Sequence, residues 1–270
     1  MKKLLSLALI TLLSGTLFTS CKKDKGEPPV LPPVESMTID FSNFASLKKS
    51  ADLPVGQKGS ENSNWEFSAA VAGVWKLIIS TTLAVPVASF KLAANQIPVY
   101  LSEKNWQWSY TVPVAGVTYK ARLTGVIGTS NTWKMYITKE GTGGFAEFLW
   151  FEGTSKLDGT EGQWIFYESS QSQGAILQVD WAKTGASIGG IKYTYVKTGD
   201  PFKNSYIEYG LTTSTLNAYF NIHYFNTLKF SDVNIEWNTT TKNGRVKCVD
   251  YLGDTDWHCW NENKINAVCQ

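Results

Sequence analysis

The sequence predicts a mostly β fold of the α+β kind: a long antiparallel up-and-down meander curled into a half-barrel over two N-terminal helices. Three observations carry this reading. Apolar and polar residues alternate with period two from Trp106 almost to the C-terminus, turn signals punctuate that alternation, and one charge-poor helical stretch precedes it.

The helical stretch runs from Asn64 to Pro98. Trp65, Ala69, Ala72, Trp75 and Ile79 recur near helical spacing, and Asn64 is placed to cap the start. Pro86 cannot continue a helix without a kink, so two helices are expected, over 64–82 and 85–95. With few charges on any side they should be largely buried.

Beyond Trp106 the pattern is that of strands with one wet face. In "TYKARLTG", Tyr119, Ala121 and Leu123 alternate with Lys120, Arg122 and Thr124, and in "TWKMYITK", Trp133, Met135 and Ile137 alternate with Lys134, Tyr136 and Thr138. Similar runs follow near 145–152, 162–168, 175–183, 190–197, 204–212, 217–226, 231–240 and 244–250, separated by turns such as "EGTGG", "KLDGTEG" and "KTGASIGG". A sheet this wide must curl to limit its edges. The helices would fill its concave side, which argues against a closed lipocalin-like barrel because that has no room for them.

The ends set the location expected of the chain. Residues 1–20 pair Lys2 and Lys3 with an apolar run from Leu4 to Phe18, the plan of a secretory signal peptide and too short for a transmembrane helix. Cys21 directly after "LFTS" resembles the lipobox of bacterial lipoproteins, with Phe18 where Leu is usual. That resemblance implies that Cys21 is lipidated and anchors the chain to a membrane, the outer membrane of a cell envelope, on its periplasmic or its outer side. Residues 21–36 read as a charged, proline-rich stalk and 37–270 as a single β-rich domain. Without the signal the chain carries 23 basic and 23 acidic residues, a neutral balance that offers nucleic acid no footprint.

A second resemblance is carried by "SCKKD", "WQWSY" at 106–110, "IEWN" at 235–238, "GRV" at 244–246 and the tail "DWHCW" with its later cysteine. These residues resemble outer-membrane lipoproteins of the Bacteroidetes, which implies location and fold and leaves activity open. The architecture looks like the half-barrel of periplasmic lipoprotein carriers and lipid-binding lipoproteins.

Candidate sites are few. With Cys21 spent on lipid, Cys259 and Cys269 form the favoured disulfide because it ties down the C-terminus, Cys248 with Cys259 is the alternative, and the leftover thiol is a buried spectator. Trp106, Trp108 and Tyr110 share one strand face and could present a platform to an acyl chain or a sugar. His223 sits on a face with Tyr219, Asn221 and Phe225 and is a candidate ligand contact. Asp254, Asp256 and His258 alternate in the pattern of two oxygens and a nitrogen around a cation. The structural reading is preferred: Asp254 in a turn, Asp256 capping a short helical turn from "WHCWNEN", and Trp257 and Trp260 docking the tail. No metal and no cofactor is expected.

Catalytic patterns are weak. "GASIG" at 185–189 matches the serine-hydrolase pattern around Ser187, yet it falls between two strands where a strand-to-helix elbow is required. Glu147, Glu152, Glu161 and Glu168 do not pair into a glycosidase dyad. The sequence therefore predicts a non-catalytic envelope lipoprotein holding an acyl-chain or lipid-like ligand between sheet and helices. The alternative is a surface glycan-binding or protein-interaction lipoprotein.

Overall fold

The computed structural model describes residues 25–44, 60–226 and 228–269; the segment read as a signal peptide and Cys21 lie outside them. Helix α1 spans Ser63–Thr82 and α2 spans Ala84–Ala93, bent 62° from each other at Leu83. Pro86 sits in the first turn of α2, where its missing N–H is not needed. The cap of α1 is Asn62, not Asn64. Asn64 instead points out of the first turn, donating from Nδ2 to the Cys259 carbonyl at 2.9 Å and from its backbone N–H to Asn266 Oδ1 at 3.1 Å.

The strands follow in one sheet. They are β1 (Val99–Ser102), β2 (Asn105–Val114), β3 (Val117–Ile127), β4 (Asn131–Lys139), β5 (Phe145–Ser155), β6 (Glu161–Tyr167) and β7 (Ala175–Thr184). Next come β8 (Ser187–Tyr195), β9 (Tyr206–Leu211), β10 (Ala218–Phe225), β11 (Phe230–Trp237), β12 (Gly244–Lys247), β13 (His258–Trp260) and β14 (Asn266–Ala267). Spatial order equals chain order and every described pairing is antiparallel, so the 14-stranded sheet is an open up-and-down meander and the closed-barrel alternative is excluded. A short helix α3 (Val249–Leu252) closes on Gly253, whose φ of 91° is the left-handed conformation that glycine tolerates.

Strict alternation places one face of the meander in the core. Along β4, Trp133, Met135 and Ile137 are fully buried while Thr132, Lys134 and Tyr136 are not. The helices bridge the open sheet, α2 packing on β2 and β3 and α1 on β12 and β13. Their burial is less complete than expected, because Leu77 and Ile78 of α1 are 46% and 45% exposed.

The inner face is organised by tryptophan lying against glycine. Trp133 stands directly across from Gly125, Trp164 from Gly153, Trp181 from Gly162 and Trp260 from Gly244. A Cβ on those glycines would fall 2.7, 2.4, 2.8 and 2.4 Å from an indole atom of the facing tryptophan. Each indole thus covers the bare backbone of the neighbouring strand, which restores burial where a glycine would expose the ladder and lets the sheet bend sharply.

The proline-rich stretch is not a free stalk up to residue 36. Pro29, Pro32, Ser36 and Met37 are buried, and Ser36 Oγ accepts a hydrogen bond from Trp164 Nε1 at 3.0 Å. Residues 29–44, including two 3-10 turns at Val34–Met37 and Ser42–Phe44, form an apolar cord: Phe41 and Phe44 pack 5.6 and 5.7 Å from Phe220. Its Pro, Met and Phe side chains carry enough apolar area to join the core, which composition alone did not signal.

Candidate functional site

Among the described residues, two clefts of more than 600 Å³ flank the sheet. The apolar one, of about 660 Å³, opens between α1 and the inner face of the later strands. Val71, Val74, Trp75 and Ile78 line it from the helix, Leu177, Tyr195, Tyr224 and Phe225 from β7, β8 and β10, and Phe202 and Ser205 from the loop before β9. Helical spacing explains the first group, since residues three and four apart share a face. Period two explains Leu177 and Tyr195, register partners on the inner side, whereas Phe225 has the opposite parity to Tyr224 and joins the cleft at the end of β10, where its ring lies 6.1 Å from Phe202.

Among the described residues no charged side chain lines this cleft. Tyr195 donates its hydroxyl to Asp200 Oδ2 at 3.0 Å, and burial together with that carboxylate pushes its pKa up to about 12. Burial also raises Tyr224. Ser205 Oγ accepts from the Phe225 backbone N–H at 3.3 Å. Both tyrosines therefore stay neutral at any ordinary pH, and the walls can exclude water from an apolar guest without stranding a charge. The volume lies within the range usual for small-molecule sites.

The predicted platform is not at the surface. Trp106 and Trp108 are only 8% and 2% exposed, on the inner face of β2, and Tyr110 donates to the Ser89 carbonyl of α2 at 2.7 Å. They are core residues: the alternation that put them on one face also turned that face inward.

His223 lies on the outer face of β10. Its ring is stacked between Tyr206 and Phe230, centroids 5.4 and 4.4 Å away, with Nδ1 2.7 Å from Asp232 Oδ1. That is a satisfied packing histidine, on the opposite side of the sheet from the apolar cleft.

The C-terminal constellation resolves into a turn. His258 Nε2 stands 2.9 Å from Asp254 Oδ1, which also accepts the Asp256 backbone N–H at 3.0 Å, and the His258 bond holds the Asp254 carboxyl below its ordinary pKa. The Asp256 side chain does not complete a set, and among the described residues no three His, Cys, Asp or Glu side chains are grouped as a metal site requires. Nor does Asp256 cap a helix, because His258–Trp260 is β13 and pairs with β12 and β14. Competition from two flanking strands overrides the local helical signal.

The disulfide is Cys259–Cys269, with Cα atoms 5.2 Å apart, and Cys248 is a free, buried thiol whose pKa burial raises. Trp260 does dock the tail: it is 2% exposed, and its Nε1 donates to the Lys242 carbonyl at 2.8 Å. Trp257 is half-buried, with the Arg245 guanidinium 4.3 Å from its ring.

Ser187 opens β8 directly after the Gly185–Ala186 turn, and no histidine bonds to it among the described residues. The four glutamates are each partnered: Glu147 by Arg122 through two bonds of 2.8 Å, Glu152 by Tyr167 at 2.5 Å, Glu161 by Lys156 at 2.9 Å and Glu168 by Lys197 at 2.6 Å.

Of the residues lining the apolar cleft, the sequence pointed only to Trp75, as a helix position facing the sheet. A signal existed in α1, where Val71, Val74, Trp75 and Ile78 form an apolar stripe beside Trp65, Ala72 and Ile79. The helix is apolar over more of its circumference than one core contact requires, and the surplus faces the cleft. No family model, no curated protein and no solved structure matches the chain.

Proposed function

We propose that this chain is a non-catalytic lipoprotein of the cell envelope, tethered through a lipidated Cys21, that holds an acyl chain or similar apolar ligand between α1 and the curved sheet. The cleft of about 660 Å³, walled by apolar and neutral side chains, is the observation that carries the reading. Each methylene buried there contributes about 0.8 kcal/mol, so a chain of ordinary fatty-acid length can offset the cost of its own ordering. The signal-like residues 1–20 and the "LFTSC" sequence support the tether.

The test is displacement of a fluorescent fatty acid from the full-length, detergent-purified protein. Ile78 is half exposed at the cleft wall, so Ile78→Glu should leave the melting temperature unchanged while placing a carboxylate in the apolar cleft. Binding should weaken at least tenfold. No binding by the parent, or equal binding by both proteins, would refute the assignment. Radiolabelled palmitate that fails to label the chain in the parent, or labels Cys21→Ser equally, would remove the tether.

A further inference from the structure

The second cleft lies on the convex face and has different chemistry. It encloses about 720 Å³. Its floor is one cross-strand row: Tyr219 on β10 faces Glu236 on β11, which faces Arg245 on β12. The β9–β10 turn near Thr215 and the β13–β14 turn at Glu262 form its sides.

Tyr219 lies flat on the sheet. Gly210 stands directly opposite on β9, and a Cβ there would fall 2.3 Å from the Tyr219 ring, so one face of the phenol rests on bare backbone and the other looks into the cleft. The Tyr219 hydroxyl donates to Glu208 Oε1 at 3.3 Å, which fixes the ring in its plane.

Beside the ring, Arg245 reaches Glu236 through Nε at 2.8 Å and Nη2 at 2.6 Å, both to Oε2. Trp257 backs the guanidinium at 4.3 Å. Glu236 Oε1 and Arg245 Nη1 have no protein partner among the described residues. The floor therefore presents an aromatic plane with a fixed acceptor and a fixed donor at its edge.

A pyranose has the matching shape. Its C–H face is apolar and stacks on an aromatic ring, and its equatorial hydroxyls both donate and accept in the plane around it. Neutrality matters too, because the Glu236–Arg245 pair is already balanced and a charged guest would have to break it. We propose that this convex trough binds a neutral hexose unit of an oligosaccharide, with Tyr219 as the stacking platform and Glu236 and Arg245 as its hydroxyl partners. The site is separate from the apolar cleft and independent of it.

Native affinity electrophoresis of the full chain in detergent tests this, with mixed-linkage β-glucan, xyloglucan, galactomannan and dextran in the gel and alginate as the charged control. At least one neutral polymer should retard the parent. With each protein's mobility taken relative to its own in a polymer-free gel, Tyr219→Ala should reduce that retardation tenfold or more and Glu236→Gln at least fivefold, while Ile78→Glu is retarded as the parent is. Circular dichroism checks that each variant is folded, and Glu236→Gln carries the test if the alanine variant is not. The proposal is overturned if no neutral polymer retards the parent, if alginate alone does, or if a folded Glu236→Gln protein binds as tightly as the parent.

Discussion

Adding a single methyl group at Gly153 should destabilise the protein, although glycine-to-alanine exchange in a strand ordinarily stabilises by about 0.4–1 kcal/mol through the unfolded chain. Gly153 does not occupy the left-handed region, so backbone strain is not the issue. The obstacle is space: the new Cβ would lie 2.2 Å from the Gln163 carbonyl oxygen and 2.4 Å from Trp164 Cε3. Neither neighbour can yield cheaply. The carbonyl belongs to β6, and the indole is wedged against Phe90 and Phe151 at 5.2 and 5.5 Å while donating to Ser36. Overpacking costs roughly 1–3 kcal/mol and a displaced hydrogen bond about 1 kcal/mol more. With the ordinary gain subtracted, a net loss of about 2 kcal/mol lowers the melting temperature of a chain this size by roughly 4–8 °C. Gly73, inside α1 with nothing within 4 Å of its added Cβ, is the internal control. Gly73→Ala should raise stability by about 0.5–1 kcal/mol. Guanidinium unfolding followed by far-ultraviolet circular dichroism compares the two. A Gly153→Ala midpoint equal to or above the parent's would refute the packing argument.

Three further outcomes are expected. Cys269→Ser opens a ring whose cysteines are 10 residues apart, and should cost about 3 kcal/mol by loop entropy, read as a lower unfolding midpoint that reductant no longer shifts. Cys248 should resist iodoacetamide in the native protein and react on unfolding, since it is 1% exposed and burial disfavours its thiolate; labelling of the folded protein at the unfolded rate would contradict this. The Asp254 carboxyl is lowered chiefly by its bond to His258, so its ionised form favours the fold. That contribution is in place above the unfolded carboxylate's pKa of about 3.9 and is lost as pH falls through the lower folded value. Stability curves of the parent and Asp254→Asn should accordingly differ at pH 5 and converge in stronger acid, and parallel curves would count against the pair.

The meander was legible because antiparallel strands with one wet face write their burial directly into alternate residues. Trp133, Met135 and Ile137 announced both strand and facing, and β5 to β12 fell within a few residues of expectation. Very short strands were not legible: β14 has only two residues, and β13 lay in a stretch whose aspartates also suit a helix cap. Site geometry was harder still. Period two says that Trp106, Trp108 and Tyr110 share a face, and it cannot say whether that face meets solvent or helix. The apolar cleft depends on how far α1 stands from β8 and β10, a distance set by side chains remote in sequence. The cord at 29–44 escaped notice because proline-rich composition describes an isolated chain, and its burial depends on Trp164 and Phe220.

The glycines beneath the indoles also give the sheet a direction in time. In all four inner pairs the glycine precedes its tryptophan in the chain, as Gly125 precedes Trp133 and Gly244 precedes Trp260, and on the outer face Gly210 likewise precedes Tyr219. A chain emerging amino end first exposes each of these notches before the ring that covers it. A circular permutant opened at the Asp158–Gly159 turn would make β6 before β5, and Trp164 would wait for the notch it normally finds ready.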